Sequence, residues 1–165
     1  MWAFSRPEQV SVWLLLALVS VAIVTDYCDG VVARRTATAS PGGMLFDHTT
    51  DCLFVAAGLG GASRAGLVPT LLPVLVVVAF SQYVLDSYFL HRQRQLRMSV
   101  LGRWNGILYF APLVMIAISR LDGLPVLAAL AGFLVGAAAI LLVVTTAASI
   151  LDRAVAPRRV PPQGQ

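Results

Sequence analysis

Eight acidic residues occur in this 165-residue chain, and four of them, Asp26, Asp29, Asp47 and Asp51, fall within 26 positions bordered by apolar runs. Carboxylates beside a membrane span are costly to keep there, so their default reading is functional. On a helix that continues past the membrane surface, Asp26, Asp29, Gly30, Ala33 and Arg34 occupy i, i+3, i+4, i+7 and i+8, which is one face. That face offers two carboxylates, two tiny side chains and a guanidinium, and the small residues let a flat, charged ligand approach the backbone. Arg35 projects to the opposite face and reads as an interfacial anchor. Gly43, Asp47 and Asp51 repeat the pattern at i, i+4 and i+8, a stripe about 12 Å long. The turn Ser40–Gly43 between the two helices makes them antiparallel neighbours, so the acidic stripes can face each other.

Four carboxylates converging in one place cannot all stay ionised and unpaired. One or two divalent cations resolve the repulsion, and hard oxygen ligands suit Mg²⁺ or Mn²⁺ rather than zinc. Paired metals flanked by arginine are what transfer of a phosphoryl-type group requires. The competing reading is an interfacial charge network with Arg34 and Arg35, but it has fewer cations than carboxylates.

The elements that must position these groups follow from composition. The chain is 58% hydrophobic and 12% charged, with a mean hydropathy of +0.81, against about 25% charged residues in ordinary soluble domains. This excludes a secreted disulfide scaffold, a disordered tail and a soluble dinucleotide-binding enzyme; continuous apolar runs also argue against a β-barrel. The expected fold is an all-α, polytopic transmembrane helical bundle. Five spans are expected, roughly Gln9–Asp29, Met44–Ala62, Leu67–Leu90, Arg103–Ser119 and Leu124–Leu151, each near the ~20 residues that cross a hydrocarbon core. The breaks are Ser40–Gly43, Ser63–Gly66, the basic stretch His91–Arg103 and Arg120–Gly123. Residues 1–156 form one transmembrane domain, and the Pro-rich residues 157–165 a disordered cytoplasmic tail.

All twelve basic residues are arginine. Arg34, Arg35, Arg92, Arg94, Arg97, Arg103, Arg153, Arg158 and Arg159 share one side in this arrangement, and only Arg6, Arg64 and Arg120 lie on the other. The richer side is therefore cytoplasmic, with the acidic cluster facing it, as in a protein of the bacterial inner membrane. The positive charge has this topological explanation, and no nucleic-acid partner is expected.

The stretch Asp26-Tyr-Cys-Asp29-Gly30-Val-Val-Ala33-Arg34, then eight residues, then Gly43-Met-Leu-Phe-Asp47-His-Thr-Thr-Asp51 resembles the signature of the CDP-alcohol phosphatidyltransferase family. All eight signature positions are present, covering about a sixth of the chain. The resemblance implies an enzyme of phospholipid biosynthesis that moves a substituted phosphate, such as the phosphatidyl group of CDP-diacylglycerol, to an alcohol with release of CMP. Carried over, Asp26, Asp29 and Asp47 hold metal, Asp51 is the general base and can also touch metal, and Gly30, Ala33, Arg34 and Gly43 line the nucleotide. The implied cofactor is Mg²⁺ or Mn²⁺, two ions, and the partners are a CDP-linked donor, an alcohol acceptor and membrane lipids. The runs Ala33–Thr36 and Ser40–His48 also resemble the choline/ethanolamine phosphotransferase branch, whose donor is a CDP-amino alcohol and whose acceptor is diacylglycerol. The family usually has six spans, so the chain is expected to lack the first one, to leave Met1–Glu8 outside the cell, and to show reduced stability or activity.

Outside the signature, His48 reads either as a hydrogen-bond partner of a catalytic carboxylate or the acceptor, or as a solvated interfacial residue. Cys28 and Cys52 are poor Mg²⁺ ligands and read as packing residues. Arg92, Arg94, Arg97 and Arg103 are explained by topology, with Arg103 the best candidate for an acceptor phosphate. Asp86 either pairs with a loop arginine or faces the acceptor. Gly132 and Gly136 permit close helix contact, within the chain or across a homodimer. Two other functions compete: an intramembrane prenyltransferase, whose paired acidic motifs are far more widely separated, and a non-catalytic membrane protein that keeps the fold.

Overall fold

Proline, glycine and a serine cap set the helix boundaries in the computed structural model, which describes residues 1–35, 40–85 and 100–155, without the side chains of Ala33, Arg34, Pro41, Met44 and Val100. A short α1 (Trp2–Ser5) and a 3-10 turn at Pro7–Gln9 lead into α2, Val12–Arg35. The next helix, α3, spans Pro41–Arg64. Ser40 starts it, its Oγ accepting the Gly43 N–H at 3.0 Å, with Pro41 at the first helical position, where a missing N–H costs nothing. The expected Ser40–Gly43 turn is thus the first turn of α3 itself. Gly66, at φ +74°, turns the chain into α4, Leu71–Leu85.

The fourth expected segment is not one helix. It divides into α5 (Val100–Leu108) and α6 (Ala111–Ile118). Pro112 sits in the first turn of α6; lacking an N–H and crowding the carbonyl four residues earlier, it cannot continue α5. Gly123, at φ +91°, precedes α7, Pro125–Val155. Residues 86–99, which take in most of the basic stretch His91–Arg103, and the tail 157–165 lie outside the described residues.

The chain is an all-α membrane protein. Among the described residues, Val12–Val32, Leu101–Ile118 and Pro125–Val155 are long and apolar enough to cross a bilayer, and Leu71–Leu85 is a shorter apolar helix. The 24 residues of α3 reach about 36 Å at 1.5 Å each. Large apolar side chains such as Trp13, Phe133 and Ile140 point outward, as they do where lipid replaces water.

The helices pack as a ring in which α2 meets α3 and α6, α6 meets α7, α7 meets α4, and α4 returns to α3. At one end the ring is filled by Leu15, Leu59, Leu72, Leu113 and Ile116, all fully buried. Two glycines of α3 permit this density. A Cβ at Gly58 would lie 2.8 Å from the Leu113 Cδ1, and one at Gly61 would collide with the Met1 carbonyl oxygen. The second contact lets the N-terminal segment dock on α3 with Phe4 buried in the core, a feature absent from the sequence reading. In α7, a Cβ at Gly132 would lie 3.8 Å from the Ser119 Cβ, an approach within the chain. At the other end the ring opens.

Candidate active site between the helix ends

The open end gathers the C-terminal halves of α2, α4 and α7 with the N-terminal halves of α3 and α5. A cavity of about 570 Å³ lies between them. Because α2 runs unbroken to Arg35, Asp26, Asp29, Gly30 and positions 33 and 34 keep their helical spacing. Asp26 is half-buried and Asp29 exposed. On α3, Asp47, His48 and Asp51 are half-buried, and one ligand atom from each lies within 4.8 Å of the others. The Asp51 carboxyl meets that of Asp26, and Asp47 lies within electrostatic reach of Asp26 and Asp29. The two acidic stripes meet.

Asp26, His48 and Asp51 line the cavity, with Cys52 beside them. The His48 ring lies 6.2 Å from that of Tyr83. Ile23, Val55, Val76, Phe80, Ile107 and Phe110 supply apolar wall, and Arg103 reaches it from α5. Gln82, Tyr83, Ser149 and Arg153 also line the cavity, and none of these four was singled out as a site residue from the sequence. Gln82 and Ser149 carried one available signal, a polar side chain inside an apolar run; Arg153 was counted only for topology. Arg153 stacks over the Tyr83 ring at 5.4 Å. Two hydrogen bonds hold the walls together: Gln82 Nε2 donates to the Ile150 carbonyl at 3.2 Å, and the buried hydroxyls of Tyr109 and Thr146 pair at 2.9 Å.

The other expected site residues divide. Gly43 has a local structural duty, since its N–H is capped by Ser40 and a Cβ there would lie 3.1 Å from the Ser40 Oγ. Gly30 is partly exposed on α2. The side chains of Ala33 and Arg34 lie outside the described residues, as do Asp86, Arg92, Arg94 and Arg97. Cys28 and Cys52 are free thiols.

The donor set fits a hard divalent cation. Carboxylate oxygens dominate it, with one imidazole nitrogen, which Mn²⁺ also tolerates. A cation between facing carboxyls would offset their mutual repulsion.

A family model for the CDP-alcohol phosphatidyltransferases matches residues 1–151, which takes in the whole acidic signature and all but the last turn of α7. The chain belongs to the CDP-alcohol phosphatidyltransferase family. Neither the comparison with curated proteins nor that with solved structures yields a match. Membership in this phosphatidyltransferase family makes the chain an integral membrane protein of a transferase family that serves phospholipid synthesis.

Proposed function

We propose that the chain transfers a substituted phosphate, the phosphatidyl group of CDP-diacylglycerol, to an alcohol and releases CMP. The observation that carries this reading is the meeting of Asp26 and Asp51 at a cavity large enough for an acceptor, within a chain whose family moves such groups. Asp26, Asp29 and Asp47, with Asp51, would hold Mg²⁺ or Mn²⁺ as two ions. The metals would neutralise the pyrophosphate and the departing CMP.

The chain's own residues do the rest. Gly30, Ala33, Arg34 and Gly43 form the nucleotide face, where small side chains admit the cytidine and the guanidinium meets phosphate. Asp51 takes the proton of the acceptor hydroxyl as its oxygen bonds to phosphorus; the bond from phosphorus to the CMP oxygen breaks, and CMP leaves. Apolar walls around Asp51 exclude water, which would otherwise compete as acceptor. Arg103 and His48 stand where an acceptor or its phosphate would enter. The arginine distribution supports a cytoplasmic position for this end of the bundle, and the membrane would be a bacterial inner membrane.

Release of CMP by membranes containing the chain, with CDP-diacylglycerol or with CDP-choline as donor, tests the reading. CMP from CDP-diacylglycerol is the expected result. CMP from CDP-choline alone would assign the chain to the amino-alcohol branch, and none from either would leave a non-catalytic membrane protein.

A further inference from the structure

His48 stands between Asp47 and Asp51 on α3, three residues before Asp51, so helical spacing puts its ring beside that carboxylate. One ligand atom from each of the three lies within 4.8 Å of the other two, and all three residues are half-buried. Donors on opposite sides of one ion are about 4.2 Å apart when each bond is about 2.1 Å. Small side-chain rotations therefore close the set on a single cation. The His48 ring lies 6.2 Å from the buried ring of Tyr83, a neighbour that limits the positions the imidazole can take. Among the described residues no hydrogen bond holds either of its nitrogens, and the ring faces the same cavity as Asp26 and Asp51.

An imidazole changes what a carboxylate site selects. Oxygen donors alone suit Mg²⁺, which is hard and binds nitrogen poorly. A neutral imidazole offers one nitrogen lone pair while the other nitrogen keeps its proton. That softer donor bonds a transition-metal ion more strongly than it bonds Mg²⁺. Mn²⁺ takes carboxylate oxygens as Mg²⁺ does and gains from the nitrogen as well, so a mixed set of two carboxylates and one imidazole favours it.

We infer that His48 is a ligand of one of the divalent cations, and that its nitrogen makes this site select Mn²⁺ over Mg²⁺. The inference rests on the metal reading above, to which it adds a nitrogen donor and a preference between the two ions. A carboxamide at position 48 would keep a polar side chain of similar size but lose the imidazole nitrogen.

The test uses the full chain, purified in detergent with an affinity tag that contains no histidine, and Mn²⁺ alone as the probe. Electron paramagnetic resonance follows binding through loss of the free Mn²⁺ signal, and electron spin-echo modulation reports a nitrogen nucleus bonded to the bound ion. The chain has two histidines, His48 and His91, so a nitrogen signal can be assigned to one of them. Wild type and His91→Gln are expected to show imidazole modulation, and His48→Gln to lose it. In His48→Gln the Mn²⁺ affinity should fall about tenfold, while the Mg²⁺ affinity, read by competition, stays within about twofold of wild type. Bound Mn²⁺ without nitrogen modulation in wild type would overturn the inference and leave the metal reading intact, whether or not the variant folds. Modulation that survives in His48→Gln, or an equal change in affinity for the two ions, would also overturn it. No binding of Mn²⁺ by wild type would overturn the metal reading and this inference together.

Discussion

The carboxyl of Asp51, one turn beyond Asp47 on α3, meets the carboxyl of Asp26, which is half-buried in the C-terminal half of α2. Neither residue is near the other in sequence, and both line one cavity. In the proposed reaction Asp26 would serve beside Asp51, where the acceptor hydroxyl would enter.

Asp51→Asn should lower turnover by about 10²–10⁴-fold, because an amide cannot accept the hydroxyl proton, while binding of the CDP donor persists. Asp29→Asn should instead raise the Mg²⁺ and donor concentrations needed for half-maximal rate. Steady-state kinetics alongside donor binding separates the two. Near-normal turnover of Asp51→Asn at saturating Mg²⁺ would contradict the assignment of the base.

Activity should require Mg²⁺ or Mn²⁺ and fall when Ca²⁺ replaces them, since calcium takes longer bonds in looser geometry and would misplace the pyrophosphate. Dialysis against EDTA followed by readdition of each ion provides the measurement. Full CMP release in excess EDTA would end the metal reading.

The Tyr109–Thr146 hydrogen bond ties the turn between α5 and α6 to α7 in a buried setting. Thr146→Val strands the Tyr109 hydroxyl and should cost about 1–3 kcal/mol, seen as a lower Tm in detergent. Adding Tyr109→Phe to that variant removes the stranded group and should recover part of the loss. A double variant as unstable as the sum of the singles would show that the pair is not coupled.

Gly61→Ala should release the N-terminal segment, because the new Cβ claims space held by the Met1 carbonyl. Overpacking of this kind typically costs about 1–3 kcal/mol. The segment lies at the filled end of the ring, so acceptor and donor KM should stay at wild-type values. Protease digestion of the first ten residues, compared between wild type and variant, reads the release directly.

Asp26, Asp29, Asp47 and Asp51 were legible in the sequence because a helix repeats every 3.6 residues, so spacing alone places side chains on a face. Apolar runs of near-spanning length likewise specify an all-α membrane protein, since in lipid each backbone polar group must be satisfied within its own segment. These are local properties. Pro112 was visible as a residue, yet whether it bends a span or divides it depends on what packs around the break. The docking of Met1–Ser5 on Gly61 and the entry of Leu113 at Gly58 join residues far apart in the chain, and no periodicity encodes such pairings. The same holds for the cavity. Gln82, Ser149 and Arg153 come from two helices whose facing sides are chosen by the order of the ring, and almost uniformly apolar helices carry no amphipathic stripe to announce that choice. Local spacing therefore determined which groups could do the chemistry, and long-range packing alone decided what surrounds them.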